Sequence, residues 1–129
     1  MDFLSIKGGN GLKISKVVSA KSVLDNLAQN KNLPTKVAYK IYVLLSELTS
    51  TIQFFLDKRR ELFLSYGVEE GENYIITPDN QDIFNQKFDE LMNLECEKEF
   101  HKIDISLELD LGISPTDIFC LEPFINFVE

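Results

Sequence analysis

Residue types that commonly carry chemistry are scarce in this chain. Its 129 residues include no tryptophan, a single histidine, His101, and two cysteines, Cys96 and Cys120. A zinc site needs three or four clustered Cys or His ligands, and the whole chain has only three such residues. Cys96 and His101 are five positions apart on a predicted strand, so they point to opposite faces and make a poor nucleophile–base pair. We therefore predict no metal site and no catalytic residues.

Two cysteines are also too few for the disulfide framework of a small secreted domain. We predict two reduced thiols, with a single Cys96–Cys120 bridge as the alternative. The N-terminus lacks the basic-then-apolar pattern of a signal peptide, and no apolar run approaches the ~20 residues that span a bilayer. These features predict a soluble protein without an obvious route of export.

Basic residues are few, because 13 Lys and Arg stand against 21 Asp and Glu and give a net charge of −8. This charge repels nucleic-acid phosphate and anionic lipid, so we expect neither nucleic acid nor a membrane as a partner. The glycine-rich residues 8–11 lack the lysine and hydroxyl order of a P-loop, and the acidic residues 69–72 lack the ligand spacing of an EF-hand. The sequence predicts no cofactor and no enzymatic activity.

The dominant pattern in the sequence is a helical segment over residues 33–67. Its apolar positions follow gaps of three or four residues with one interruption at Arg59: Val37, Ile41, Leu44, Leu48, Ile52, Phe55, Leu62 and Tyr66. Pro34 suits the first turn of a helix, and Gly67 suits a left-handed ending. Such a helix is about 48 Å long, which is longer than a domain of this size is wide.

Further apolar residues of the same segment lie off this stripe, so one neighbouring helix cannot cover them all. The remaining face must meet the rest of the domain or a second copy of the chain. The polar residues 57–61 predict a solvated stretch or a docking site for an acidic partner. The predicted protein-interface residues are Tyr42, Leu45, Phe54, Arg59, Phe63, Phe124 and Phe127.

The segments before the long helix predict a strand-turn-strand arm and a short helix. Apolar residues precede the glycines at 8–11, and Leu12, Ile14 and Lys16 form the predicted return strand of a hairpin within residues 1–16. Apolar residues at helical spacing begin at Val17 and continue to Ala28, with Ser15 or Ser19 as the candidate cap.

The segments after the long helix mix helix and strand. Residues 68–72 predict an exposed acidic connection, and residues 73–77 predict a strand that pairs antiparallel with a strand in the 95–107 region. A helix opens at Thr77-Pro78-Asp79 and ends near Asn93. The order Ser114-Pro115-Thr116-Asp117 predicts a capped helix that kinks or stops at Pro123. The apolar residues after Pro123 predict a C-terminus docked on the core or on a partner.

These elements predict one α+β domain over residues 1–129. It consists of a helical hairpin with one long central helix, a small antiparallel sheet and a short C-terminal helix. The predicted parts are the arm at 1–16, the helical hairpin at 17–67 and a small α+β part at 68–129.

Several of these motifs resemble small bacteriophage proteins of uncharacterised function and about this length. The resemblance rests on the helix opening at 33–39, on Tyr66-Gly67, on residues 95–103, on Ser114-Pro115-Thr116-Asp117 and on Leu121-Glu122-Pro123. It covers residues 33 to the C-terminus, and its motifs define a fold without catalytic residues. What it implies is a phage origin and a location in the host cytoplasm or the virion.

The expected function is that of a non-catalytic, phage-encoded protein that binds proteins. Its expected partners are itself, as a homo-oligomer, and another phage or host protein. One version is a virion or assembly component. The other is a host-directed inhibitor of a bacterial factor such as a defence system, including mimicry of nucleic acid by the acidic surface.

Overall fold

The computed structural model describes residues 12–129, which form four α-helices, one 3-10 turn and four short strands. The elements are α1 (Ile14–Ala28), α2 (Thr35–Tyr66), β1 (Gly67–Glu70), β2 (Asn73–Ile76), the 3-10 turn (Pro78–Asn80), α3 (Gln81–Met92), β3 (Ile103–Ser106), α4 (Pro115–Leu121) and β4 (Ile125–Val128). The α+β class, the long central helix, the small antiparallel sheet and the short C-terminal helix are confirmed. The first strand and the glycine turn of the predicted N-terminal hairpin lie outside the described residues.

The predicted return strand is wrong, because Ile14 and Lys16 belong to helix α1. The helical pattern starts earlier than expected: Ile14 is buried like Val17 and Ala20, at the three-residue spacing of one helix face. Neither predicted serine caps the helix, since the N-cap is Lys13. The first turn is held instead by the Ile14 N–H, which donates to the Leu94 carbonyl at 2.9 Å.

Helix α2 confirms the predicted long helix and packs its buried stripe against α1. Ile41, Leu44, Leu48 and Phe55 are all buried. Pro34 occupies the N-cap, one position before the expected first turn. The predicted left-handed ending is wrong: Gly67 has φ −104° and ψ 167°, because the chain runs straight into strand β1.

Residues 68–72 are not a free connection but half of a hairpin. Strand β1 pairs antiparallel with β2 in the register Val68↔Ile75 and Glu69↔Tyr74. Gly71, with φ 64°, occupies the turn between them. The predicted pairing of β2 with the 95–107 region is therefore wrong. A partner two residues away in sequence costs far less loop-closure entropy than one beyond α3.

Helix α3 is confirmed; it ends at Met92 with Asn93 as its C-cap, close to the predicted end, and follows the 3-10 turn that opens at Pro78. Its aromatic rings cover the C-terminal half of α2. Phe84 lies 5.1 Å from Phe63, and Phe88 lies 6.2 Å from Phe55, between ring centroids. Edge-to-face and tilted contacts at these distances add to the stabilisation that burial provides.

Strand β3 is only four residues long and pairs parallel with β4, in the register Ile103↔Ile125 and Ile105↔Phe127. Helix α4 is the crossover between them, as parallel strands require. It begins with the predicted cap: the Asp117 N–H donates to Ser114 Oγ at 3.1 Å, and the Ser114 N–H donates to Asp117 Oδ2 at 3.2 Å. Helix α4 ends at Leu121, two residues before Pro123.

The C-terminus docks on the core of its own chain, which settles the two predicted alternatives. Phe124 and Ile125 are 0% and 2% exposed. Cys96 and Cys120 are both free thiols. Within residues 12–129, every helix is too short or too polar to cross a membrane.

Candidate protein-binding surface

Helix α2 carries a second regular row of side chains on the side away from its buried stripe. The row, called here the ridge, advances by three or four residues, which keeps it on one side of the helix. All of its members are exposed: Tyr39, Tyr42, Ser46, Thr49, Gln53, Leu56, Arg60 and Leu64. From Tyr39 to Arg60 the steps alternate between three and four residues, which is the spacing of a helix–helix seam.

The N-terminal end of the ridge is aromatic. Tyr39 and Tyr42 are 66% and 64% exposed. Their rings stack on each other with centroids 6.3 Å apart and planes inclined by 29°. Because each ring limits the rotation of the other, the pair loses little further entropy when a partner covers it.

The middle of the ridge is polar, but each of its three polar side chains already donates a hydrogen bond within α2. Ser46 Oγ donates to the Tyr42 carbonyl at 3.0 Å, and Thr49 Oγ1 donates to the Leu45 carbonyl at 3.0 Å. The Gln53 amide donates to Asp57 Oδ1 at 2.9 Å. Covering these groups leaves few unpaired donors, so the desolvation cost of a contact here is small.

The C-terminal end of the ridge is apolar on both sides of one cation. Leu56 and Leu64 are 38% and 53% exposed. Arg60 lies between them, and its guanidinium pairs with no carboxylate of residues 12–129. A cation without a partner, flanked by leucines, is suited to contact an aromatic ring or a carboxylate from outside the chain.

The predicted interface residues on α2 do not form one surface. Tyr42 belongs to the ridge, whereas Leu45 is half-buried against the core. Phe63 lies between α2 and the hairpin, with its ring 6.5 Å from that of Tyr74. Arg59 is exposed and lies over the Phe55 ring at 5.5 Å. The face that the sequence left open is thus partly covered by the hairpin and α3, while the ridge and Phe54 stay exposed.

Phe54 lies on another side of α2, 41% exposed. It lines two surface cavities of about 490 Å³ and 320 Å³. Of the two predicted C-terminal residues, Phe124 is fully buried with its ring 5.7 Å from Phe100. Phe127 is half-buried in β4 against the core. Both hold the C-terminus in place, so we leave them out of the binding surface.

Tyr39, Leu56 and Leu64 were missed in the predicted set, although the sequence contained their signal. Each lies three or four residues from another exposed ridge position, on the side opposite the buried stripe. The apolar members are separated by Ser46, Thr49 and Gln53, so the row does not stand out by hydrophobicity alone.

The larger cavity beside Phe54 is lined by the Cys96 thiol and by the charged residues Glu95, Glu97 and Lys98. Burial raises the pKa of Cys96, so this thiol stays protonated at neutral pH and is a weak nucleophile. His101 is not at this cavity: its side chain is 91% exposed, and Nδ1 lies 3.2 Å from Glu47 Oε2. Residues 12–129 include no group of three His, Cys, Asp or Glu side chains placed to hold a metal ion.

The ridge thus has an aromatic, a polar and a leucine–arginine part, all exposed along one side of α2. Comparisons of the chain with protein-family models, curated proteins and solved structures found no match.

Proposed function

We propose that this protein is a non-catalytic protein-binding protein that acts as a homo-oligomer, with the ridge of α2 as the contact between copies. The observation that carries the proposal is the uncovered three-four row of side chains on α2. The row runs from Tyr39 to Leu64, which is about 38 Å at the rise of an α-helix. A helix that leaves such a row exposed along most of its length is suited to pack against another helix.

The ridge is complementary to a second copy of itself in the antiparallel direction. When Thr49 of one copy is set opposite Gln53 of the other, the side chains of the pairs that follow outward complement each other. Ser46 faces Leu56, a small residue against a large one. Tyr42 faces Arg60, a ring against a cation, which is a favourable contact.

Tyr39 then lies opposite position 63, so Leu64 meets its ring one residue further along, and each end closes with apolar contact. The same pairs recur on both sides of a two-fold axis, as an isologous dimer requires. A parallel pairing lacks this complementarity, because it sets Arg60 against Arg60 and Ser46 against Ser46. Like charges in direct opposition are unfavourable.

Support for a non-catalytic role comes from the chemistry of the cavity beside Phe54. Its thiol is protonated, and the histidine of the chain is bound to Glu47 elsewhere. The proposal keeps the phage origin that the sequence motifs imply. A symmetric helix contact favours the first of the two expected settings, a virion or assembly component.

The mass of the purified protein in solution tests the oligomer. We expect light scattering to give the mass of a dimer at micromolar concentration, and the double variant Tyr39→Ser/Tyr42→Ser to give the mass of a monomer. A matched control is Phe119→Ser, because Phe119 is 61% exposed but lies on α4, away from the ridge. A monomeric wild-type protein would contradict the proposal.

Whether the protein is a virion component or a host-directed protein is tested separately, by mass spectrometry of purified virions. A virion or assembly component is expected in them at a constant ratio to the capsid protein. Its absence from virions that assemble normally would instead favour the host-directed version, in which the chain acts on a bacterial protein.

A further inference from the structure

The outer face of the β1–β2 hairpin carries an apolar pair that is about half exposed. In an antiparallel pair, directly opposed residues project to the same side. Val68 and Ile75 are opposed and are 50% and 45% exposed. The neighbouring pair, Glu69 and Tyr74, projects to the other side, where Tyr74 contacts Phe63. The hairpin thus has an inner face that joins the core and an outer apolar face.

The hairpin is also an unpaired sheet. Among residues 12–129, the sheet that contains β1 and β2 has only these two strands. Its outer edges therefore present backbone donors and acceptors that a third strand can bind. Proteins that recognise extended peptides use such edges for affinity and the side-chain face for specificity.

The charge around this hairpin is of one sign. Residues 66–82 contain five acidic residues and no lysine or arginine: Glu69, Glu70, Glu72, Asp79 and Asp82. These side chains are exposed. They repel an equally acidic surface, so two copies of the hairpin do not meet here. A segment with basic residues is attracted instead.

We infer that the hairpin is a second binding site, which takes an extended, basic segment of a partner protein. In this site, apolar side chains of the segment cover Val68 and Ile75. Its Lys or Arg side chains meet the acidic rim, and its backbone pairs with an edge of the hairpin. The inference does not depend on the ridge, because its residues and its charge are different.

A defined peptide tests the site directly. The probe is a fluorescent peptide that alternates Lys and Val over about eight residues, the length of a long strand. The comparison peptide alternates Glu and Val. We expect fluorescence anisotropy with the wild-type protein to show binding of the Lys–Val peptide, weakened by added salt, and no binding of the Glu–Val peptide.

Two hairpin variants separate the apolar and ionic contributions. Val68→Thr/Ile75→Thr keeps the β-branched shape that strands favour but removes apolar surface, and is expected to weaken binding about tenfold. Glu70→Gln/Glu72→Gln is expected to weaken binding and to reduce its dependence on salt. The matched controls, Leu107→Thr/Val128→Thr and Glu97→Gln/Glu99→Gln, change exposed residues elsewhere and are expected to bind normally.

Several results would overturn the inference. These are equal binding of the two peptides, no binding of either, or controls that weaken binding as much as the hairpin variants. If the threonine variant lowers the mass of the oligomer while the peptide does not bind, the hairpin meets a second copy instead. Should that variant fail to fold by circular dichroism, the glutamine variant decides, since Glu70 and Glu72 are exposed. The ridge variant Tyr39→Ser/Tyr42→Ser must still bind the peptide.

Discussion

The carbonyl oxygen of Phe63 lies 2.7 Å from the point that a Cβ atom on residue 67 would occupy. The same carbonyl accepts the N–H of Gly67 at the end of α2. The turn from the long helix into the hairpin is therefore closed too tightly for a side chain. Gly67 is required by a close approach, since its φ of −104° is open to any residue.

Gly67→Ala is expected to destabilise the protein by about 1–3 kcal/mol, because the Phe63 carbonyl belongs to the helix backbone and cannot move aside freely. Urea unfolding followed by circular dichroism measures this change. Ser65→Ala is a suitable control, since Ser65 is exposed two residues earlier on α2. Equal stability of the two variants would show that the helix end relaxes.

Ser114→Ala is expected to cost about 1 kcal/mol of stability, because the Asp117 N–H then loses its acceptor at the start of α4. Thr116→Ala changes an exposed residue of the same turn without touching the cap and is expected to have a much smaller effect. Thermal unfolding of both variants measures the difference. A loss for Thr116→Ala as large as that for Ser114→Ala would contradict a role for the cap.

The two cysteines are expected to differ in reactivity. Cys96 is 6% exposed and its pKa is raised by burial, whereas Cys120 is half-buried at the edge of a cavity of about 210 Å³. Brief treatment of the folded protein with iodoacetamide is expected to label Cys120 first. Peptide mapping by mass spectrometry measures the order. Faster labelling of Cys96 would mean that its surroundings open readily.

The same burial predicts a pH dependence of stability. A group whose pKa is raised in the folded state stabilises the fold below its ordinary pKa, and this contribution is lost as pH rises through the folded value. For Cys96 the ordinary value is 9.0, so its contribution is lost above pH 9.0. We expect the wild-type protein to lose more stability between pH 8.0 and about pH 10 than Cys96→Ala does, in urea unfolding at both values. Equal losses would contradict this prediction.

Arg60 is expected to contribute to the proposed dimer through the ring of Tyr42 in the second copy. Arg60→Gln removes two symmetric cation–ring contacts and is expected to weaken the dimer by about 1–2 kcal/mol in total. Sedimentation equilibrium measures the dissociation constant. Arg59→Gln is the control, because the Arg59 guanidinium lies over Phe55 of its own chain. A stronger effect of Arg59→Gln would place the contact on another side of α2.

The elements that could be predicted from sequence are those whose signals are local. The three-four spacing from Val37 to Tyr66 needs only neighbouring residues to define a helix face. The cap at Ser114 and the helix that follows Pro78 likewise depend on residues within one turn. Each of these appears in the structure within a few residues of its predicted bounds.

The strand pairings were not predictable in this way. Three of the four residues at 69–72 are Glu, which strands disfavour, so the composition hid strand β1. Its pairing with β2 depends on the turn at Gly71 and on the support of Phe63 beneath Tyr74. The parallel pairing of β3 with β4 depends on the position in which α4 packs.

The exposed surface of α2 likewise depends partly on local sequence signals and partly on contacts between distant segments. The sequence by itself determined that α2 has more apolar surface than α1 can cover, because helical spacing and side-chain type decide which faces are apolar. Only the tertiary structure decided which part of that apolar surface stays exposed. The hairpin and α3 partly cover Phe63, and Phe124 is buried in the core, while Tyr39 and Tyr42 stay 66% and 64% exposed. Burial is decided by contacts between segments distant in sequence, and no local pattern contains that information.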